Sequence, residues 1–297
     1  MSRFLPRGVL VCASVVAIAG GCLAQHPIST EPAATSLSAT THPTSQPTAG
    51  KDFAALDASE IDLKRFFGDF DGCFVLVDEA AEKVYRYQPS RCAERLPPCS
   101  TFKIPNSLIG LEAGVVRDAD DVYRWDGTEH PRKPLNRDHA LRSAVAHSVL
   151  WYFQELAKRV GETQMQASLD KLDYGNRDMS GGLTTFWLSS SLRVSADEQV
   201  AFLMKLKHEQ LPFAVRNQHI ARDVIRQFPD GNLFGKTGSC EECEEFPQIG
   251  WFVGWVETER GNYFFATNIK GAKAWGYPAR DIAREILKDR NIDVKEQ

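Results

Sequence analysis

The chain has 297 residues, 43% of them hydrophobic and 25% charged, so it carries enough apolar material for a sizeable folded core. Its formal net charge is −4 at pH 7, and this lack of a basic surplus excludes nucleic acids from the expected partners. Its seven cysteines suit an exported protein, because disulfides persist outside the reducing cytoplasm.

The N-terminal segment predicts export. Arg3 and Arg7 precede the apolar run GVLVCASVVAIAGG, which is too short to span a bilayer and is typical of a signal peptide. Cys22 ends this run in a context that resembles the lipobox of bacterial lipoproteins, although the usual leucine three residues earlier is absent. Cleavage before Cys22 would give a lipid-anchored protein, whereas cleavage after Ala24 would give an unlipidated one. We predict a signal peptide over residues 1–21 and a periplasmic location.

A flexible linker is predicted over residues 22–51. The stretch HPISTEPAATSLSATTHPTSQPTAG is rich in Ser, Thr, Pro and Ala and has no periodic apolar pattern, so it cannot bury enough surface to fold. From residue 52 the composition becomes globular, with no second break and no internal repeat. We therefore expect a single folded domain over residues 52–297.

The folded part begins with two predicted strands and a helix. GCFVLVDE and EKVYRYQ are β-rich runs separated by a short polar turn, which predicts a hairpin. From Ser100 the apolar residues recur at helical spacing. Pro105 requires this helix to begin near Ser100, because proline is tolerated only in the opening turn. The spacing places Ser100 and Lys103 on one face of the helix N-terminus.

Helices are predicted for the middle of the chain. SVLWYFQELAKRVG predicts an amphipathic helix with Ser148 as its N-cap and Gly161 as its C-cap. TQMQASLDKL and SADEQVAFLMKLKHEQ predict two more helices, and Ser195 and Glu198 form a capping-box pattern at the start of the latter.

Strands return after residue 232. LFGKTGS, IGWFVGWVE and GNYFFATNI are joined by short connections, which predicts antiparallel neighbours. PARDIAREILKDR predicts a closing helix with Pro278 in its first turn. Strands at both ends thus enclose a helical middle, which is typical of an α+β fold.

Ser100 and Lys103 are candidate catalytic residues. A serine hydroxyl becomes a good nucleophile only when a base takes its proton, and a lysine can be that base only if its surroundings favour the neutral amine. The i, i+3 spacing brings the two side chains within reach, and amides at a helix N-terminus can stabilise an oxyanion. Taken alone, this pair is more often an ordinary solvated helix start.

Further motifs give the pair its meaning. In chain order they are Ser148-Val149, Tyr174-Gly175-Asn176, Trp187 in TTFWLSS, and Lys236-Thr237-Gly238 on a predicted strand. Together with STFKIPN and GWFVGWVE, they resemble the class D, oxacillinase-type serine β-lactamases from about Asp71 to Arg284. The resemblance implies the fold of the penicillin-recognising serine hydrolases, with an antiparallel sheet flanked by helices and a helical subdomain.

The resemblance also implies a catalytic role for several of these residues. Ser100 would be the acylated nucleophile, and Lys103 would carry an N-carboxylate, formed with carbon dioxide, as the general base. The Trp187 indole would donate a hydrogen bond to that carboxylate. Ser148 would relay a proton toward the lactam nitrogen, and Lys236 is a further catalytic candidate.

The remaining implied residues bind the substrate. The set comprises Thr237, Gly238, Ser239 and Arg280. Backbone amides of Ser100 and Ser239 would form the oxyanion hole, and the Arg280 guanidinium would bind the substrate carboxylate. Carbon dioxide or bicarbonate is the only cofactor implied, the partner is a small-molecule β-lactam, and a lipid anchor is the only membrane attachment expected.

Several alternatives remain open at this stage. Trp187 alone suits a hydrophobic core, Tyr174-Gly175-Asn176 suits a plain turn, and Leu150 stands where the family has valine, which leaves the turnover rate undetermined. GKT is not a phosphate loop, because Asp230 occupies the place of its first glycine. Cys240 and Cys243 lack the second ligand pair of a zinc site.

Rival functions and the cysteine pairing are likewise undecided. A penicillin-sensing domain would be acylated without turnover, although such domains follow several transmembrane helices, and a transpeptidase would use the same serine and lysine. The hydrolase is the preferred prediction. The disulfide pairing stays open among Cys73, Cys92, Cys99, Cys240 and Cys243.

Overall fold

The computed structural model describes residues 52–241 and 247–296. The predicted signal peptide and linker, with Cys22, lie outside these ranges. Strands were assigned as β1 Asp57–Glu60, β2 Asp71–Asp78, β3 Lys83–Tyr87, β4 Val122–Tyr123, β5 His139–Ala140, β6 Leu233–Cys240, β7 Ile249–Thr258 and β8 Gly261–Lys270. In the described ranges, six of them form one sheet in the order β1-β3-β2-β8-β7-β6, and β4 pairs with β5.

The main sheet confirms the predicted hairpin and the three C-terminal strands. β2 pairs with β3, β8 with β2 and β7, and β6 with β7, all antiparallel. The edge strand β1 pairs with β3 in parallel, so the sheet is mixed. This strand was not predicted, because its sequence DASE has no apolar alternation and its residues are mostly exposed.

Helices cover both faces of the sheet. They are α1 Lys64–Phe67, α2 Pro89–Ala93, α3 Lys103–Glu112, α4 Leu141–Ala146, α5 Leu150–Val160, α6 Glu162–Leu172, α7 Ala196–Lys207, α8 Val215–Asp223 and α9 Gly276–Asp289. Short 3-10 turns lie at Phe53–Ala55, Cys99–Phe102 and Lys133–Leu135. Among the described residues, none of the helices combines the length and the apolarity needed to cross a membrane.

Two hydrophobic clusters explain why the central strands are apolar on both faces. In β2, Val75 and Val77 join a large cluster with α3, α5 and α7, whereas Phe74 and Leu76 join a second cluster with α9. The α+β fold expected from the sequence is confirmed, with α3, α5 and α7 on one face of the sheet and α9 on the other.

The structure confirms two of the predicted helix ends and contradicts a third. The Ser195–Glu198 capping box is confirmed, with Glu198 N–H donating to Ser195 Oγ at 3.1 Å, and Gly161 is the C-cap of α5. The prediction of Ser148 as an N-cap is wrong. The N-cap of α5 is Val149, which makes no side-chain cap hydrogen bond.

Ser148 instead ends the preceding helix α4. It adopts a positive φ of 54°, its N–H donates to Val145 O, and the N–H of Val149 donates to Ala144 O. These are the two hydrogen bonds of a Schellman motif, whose left-handed position is usually glycine. A serine held in this conformation marks the α4–α5 connection as a strained segment, of the kind often found at functional sites.

Candidate active site

The Ser100–Lys103 pair lies where the Cys99–Phe102 turn runs into α3. Lys103 Nζ is 2.8 Å from Ser100 Oγ. Ser100 is partly exposed, whereas Lys103 is 1% exposed. A proton on the serine can therefore pass to a group on the lysine while the hydroxyl stays open to a substrate.

Lys103 lies in surroundings that oppose its positive charge. Burial is the main cause that lowers its pKa well below the usual 10.5, and the charges of Lys236 and Arg132 lower it further. Its Nζ is 5.3 Å from the centroid of the Phe153 ring, and no carboxylate pairs with it among the described residues. These surroundings favour the neutral amine, which is the condition that a lysine must meet to act as a base.

Lys236 lies on β6 and is also buried. Burial, and then the charge of Arg132, lower its pKa to about 7. Its Nζ donates to Thr237 O at 3.0 Å. With its pKa near neutrality, Lys236 can exchange a proton at physiological pH.

Arg132 is a site residue that the sequence analysis missed. Its charge acts on both buried lysines, and its Nη2 donates to His147 O at 3.1 Å, next to Ser148. No local pattern singles out this exposed arginine, because only the folded chain brings it near residues 103 and 236. Among the described residues, Ser148 Oγ and Ser100 Oγ are not joined by a hydrogen bond.

Trp187 packs beside the lysine-bearing helix. Its ring stacks on Phe102 with centroids 5.6 Å apart and meets Phe186 edge-on at 5.0 Å. The side chain is fully buried, yet its Nε1 has no hydrogen-bond partner among the described residues. A buried unpaired donor costs about 1–3 kcal/mol and calls for an explanation. The indole stacks on Phe102, the residue before Lys103, and an acceptor group carried on Lys103 would be of the chemical type that this donor requires.

The K-T-G strand packs directly on the nucleophile turn. A Cβ atom at Gly238 would lie 3.0 Å from Pro98 O and 3.0 Å from Thr101 Cγ2, so a larger residue would push the strand and the turn slightly apart. Cys99 and Cys240 form a disulfide between the two elements, with Cα atoms 5.5 Å apart. This answers part of the pairing question left open above. Cys73 and Cys92 are buried free thiols, and Cys243 lies outside the described residues.

Arg280 lies in the first turns of α9, at the rim of the site. Gly276 N–H donates to Ser239 Oγ at 2.9 Å, which ties the start of α9 to β6. The Arg280 guanidinium is 5.0 Å from the Tyr277 ring centroid and pairs with Asp281 at 3.1 Å. The Arg280 side chain is 30% exposed, so its guanidinium can bind an incoming anion in place of the Asp281 carboxylate.

The Tyr174-Gly175-Asn176 motif holds the segment that carries Trp187. Asn176 Nδ2 donates to Ser191 O at 2.9 Å, and its Oδ1 accepts from Arg193 N–H at 2.8 Å. Gly175 has φ of 58°, and a Cβ atom there would lie 2.0 Å from Arg193 O. The motif is therefore a tight turn, as its composition suggests, with a structural effect on the site.

Tyr174 supports the nucleophile turn from the other side. Its hydroxyl donates to Gln199 Oε1 at 3.1 Å, and Gln199 Nε2 donates to Thr101 Oγ1 at 2.8 Å. All three side chains are buried. This chain of hydrogen bonds fixes the residue that follows Ser100. Leu150, the departure from the family pattern, is partly buried and opens α5.

Comparison with known proteins places this architecture among proteins that handle β-lactams. Residues 72–288 match the family described as the penicillin binding protein transpeptidase domain. The chain is 42% identical over 235 residues to the probable beta-lactamase YbxI of Bacillus subtilis (strain 168), covering 78% of this chain and 86% of that protein. It superimposes on the class D beta-lactamase BAT-2 with a TM-score of 0.74 and 41% identity, covering 79% of this chain and 98% of that one.

A receptor domain is equally similar in shape. The C-terminal domain of the Bacillus licheniformis BlaR penicillin-receptor gives a TM-score of 0.76 at 35% identity, over 80% of this chain and 98% of that domain. The backbone fold is thus common to enzymes and to a receptor, and the side chains of the site must distinguish them.

Proposed function

Since the chain belongs to the class D serine β-lactamase family and is a hydrolase acting on β-lactams, we propose that it works through an acyl-enzyme on Ser100 with an N-carboxylated Lys103 as the general base. One observation carries this proposal: a buried lysine with a lowered pKa lies 2.8 Å from the serine hydroxyl. The buried Trp187 N–H that lacks a partner supports it, because the indole stacks on Phe102, the residue before this lysine.

In the first step Ser100 Oγ loses its proton and attacks the lactam carbonyl carbon. The carbonyl becomes an oxyanion, held by the amides of Ser100 and Ser239. The carbon–nitrogen bond then breaks, and the lactam nitrogen takes a proton relayed through Ser148 from Lys236. The pKa of about 7 suits Lys236 to this exchange. Ser100 is left as an ester with the opened ring.

In the second step water attacks the ester carbonyl and frees Ser100. Bound carbon dioxide would supply a carboxylate on Lys103, which would accept the Ser100 proton during acylation. That proton then returns to Lys236, which has given its own to the lactam nitrogen. During deacylation the Lys103 carboxylate would accept a proton from water, and Ser100 Oγ takes this proton up as the ester bond breaks. Trp187 donates its indole N–H to that group, which satisfies the buried donor. Arg280, Lys236 and Arg132 together provide positive charge for the substrate carboxylate.

The experiment must separate turnover from stable acylation. Purified protein is mixed with a chromogenic cephalosporin, and the absorbance trace is compared with the enzyme concentration. We expect continuous hydrolysis far beyond one equivalent, and none with Ser100→Ala. Intact mass with a slow β-lactam should show one adduct on the wild type and none on Ser100→Ala. An adduct that survives this substitution would contradict the assignment of Ser100.

A receptor-like function is the second candidate, and the similarity to the BlaR domain favours it. It predicts a burst of one equivalent followed by no further hydrolysis, with an adduct that persists. The same absorbance trace therefore decides between the two functions, because Ser100 is acylated in both.

We also propose export to the periplasm, with lipidation on Cys22. The charged and apolar N-terminal segment and the linker composition of residues 22–51 support this location. Metabolic labelling with palmitate should mark the wild type but not Cys22→Ala. A mature N-terminus at Gln25 would contradict lipidation while leaving export intact.

A further inference from the structure

The Cys99–Cys240 disulfide joins the two residues that flank the proposed oxyanion hole. Cys99 directly precedes Ser100, and Cys240 directly follows Ser239. The Ser100 amide is therefore part of the peptide unit that begins at Cys99, and the Ser239 amide is separated from Cys240 by Ser239 itself. The sulfur bridge is buried, since Cys99 is 0% and Cys240 is 4% exposed.

The disulfide links β6 covalently to the nucleophile turn. Among the described strands β6 is the last of the sheet and pairs with β7, and its first residues also bond to residues 225–227. Its other edge faces the nucleophile turn, where Gly238 lies against Pro98 and Thr101. Among the described residues no backbone hydrogen bond connects β6 with this turn. Packing, the hydrogen bond from Trp251 Nε1 on β7 to Pro97 O at 2.9 Å, and the disulfide hold the separation of the Ser100 and Ser239 amides.

The backbone on the Cys99 side is held in an uncommon conformation. Cys99 has φ of 51°, in the left-handed region that residues other than glycine rarely adopt. Its N–H donates to Trp187 O at 2.9 Å, and its side chain is tied to Cys240. These two restraints fix the direction in which the next amide, that of Ser100, points.

We propose that the Cys99–Cys240 disulfide positions the oxyanion hole by fixing the Ser100 amide relative to the Ser239 amide. Both cysteines are positioning residues that act through their neighbours. The inference rests on the proposed acyl-enzyme mechanism. An oxyanion hole acts only on the tetrahedral intermediates, so loss of the bridge slows acylation and deacylation without weakening the initial binding of the substrate.

A structural contribution is expected as well, and the test must separate the two. The bridged cysteines are 141 residues apart, and closing so long a loop stabilises a protein by restricting its unfolded chain. This effect lowers the melting temperature on reduction. It leaves the rate constants of the folded enzyme unchanged at a temperature well below unfolding.

The first experiment reduces the native protein with excess dithiothreitol at 20 °C. The dithiol gives two electrons and two protons to the bridge, forming two thiols, and becomes a cyclic disulfide itself. Rate constants for acylation and deacylation by a slow β-lactam are followed by rapid-quench intact mass. We expect both to fall about tenfold, less than the 10²–10³-fold loss of a whole oxyanion donor. Reoxidation should restore them.

Variants give the same answer without a reductant. Cys99→Ser, Cys240→Ser and the double variant should each lose about tenfold in both rate constants and then ignore dithiothreitol. Cys243→Ser is the matched control, since it removes a cysteine three residues from Cys240 and leaves both bridged cysteines in place. It should keep the wild-type rate constants and lose rate on reduction as the wild type does. Circular dichroism at 20 °C checks that every form stays folded.

Unchanged rate constants in the folded reduced protein would overturn the proposal. A loss that appears only as a raised KM would also overturn it, as would peptide mapping that finds Cys99 bonded to Cys243. A wild type that forms no Ser100 adduct even when oxidised would instead refute the underlying acyl-enzyme mechanism, so the two failures are distinguishable. If reduction unfolds the protein at 20 °C, the role is structural and the proposal fails.

Discussion

Replacing Trp187 with phenylalanine removes one N–H and keeps most of the packing. The indole stacks on Phe102 and meets Phe186, contacts that a phenyl ring can largely retain, whereas its Nε1 is buried without a partner. If Lys103 carries a carboxylate, this N–H donates to an anion. A hydrogen bond to a charged group contributes about 1.5–3 kcal/mol.

That contribution sets the size of the expected effect. Its loss weakens carboxylation of Lys103, so the bicarbonate concentration for half-maximal activity should rise roughly 10- to 150-fold in Trp187→Phe, at about 1.4 kcal/mol per factor of ten. Since deacylation needs the base to activate water, it should slow more than acylation. In degassed buffer both proteins should lose activity, and added bicarbonate should restore it.

The assay is a bicarbonate titration of chromogenic cephalosporin hydrolysis, with carbon-13 NMR of labelled bicarbonate to detect the carbamate directly. Trp125→Phe is the matched control, because it also removes an indole N–H, which here donates to Thr128 O in a surface loop. It should titrate like the wild type. Equal bicarbonate dependence of the wild type and Trp187→Phe, with no carbamate signal, would refute the reasoning and leave Lys103 as a plain amine base.

Three further predictions follow from buried charge and backbone geometry. The acylation rate should fall as the pH is lowered, because a protonated Lys103 amine can neither take up carbon dioxide nor act as a base; a rate that does not change with pH while the protein stays folded would contradict this. Lys236→Met should raise Tm at pH 7 by on the order of 5 °C, and this gain should shrink toward pH 10.5. Between pH 7 and about 10.5 the unfolded lysine binds a proton that the folded lysine does not, so the stability of the wild type rises with pH. A difference in Tm that does not change with pH would refute this prediction. Gly175→Ala should lower the free energy of unfolding in urea by more than about 2 kcal/mol, because its Cβ would clash with Arg193 O. Gly114→Ala is the control, since Gly114 has φ of 70° but no neighbour within 4 Å, and it should cost only about 1–2 kcal/mol. Equal costs for the two variants would refute the clash argument.

The sequence by itself determined the elements whose signals are local. Apolar spacing predicted the central strands and the main helices, and the capping box at Ser195 needed only residues three apart. The Ser100–Lys103 pair belongs to the same class, because the geometry of one helical turn places both side chains on one face, where they lie 2.8 Å apart in the structure.

Only the tertiary structure decided the features that depend on distant residues. Arg132 near the buried lysines, the parallel pairing of β1, and the Cys99–Cys240 bond across 141 residues have no periodic signature in the sequence. Ser148 shows the same limit at short range. A serine before an apolar run is typical of an N-cap, but the backbone of Ser148 instead forms the Schellman end of α4. The lowered pKa of Lys103 and the unpaired Trp187 N–H likewise arise from burial, which is set by the whole core and not by the residues adjacent in the chain.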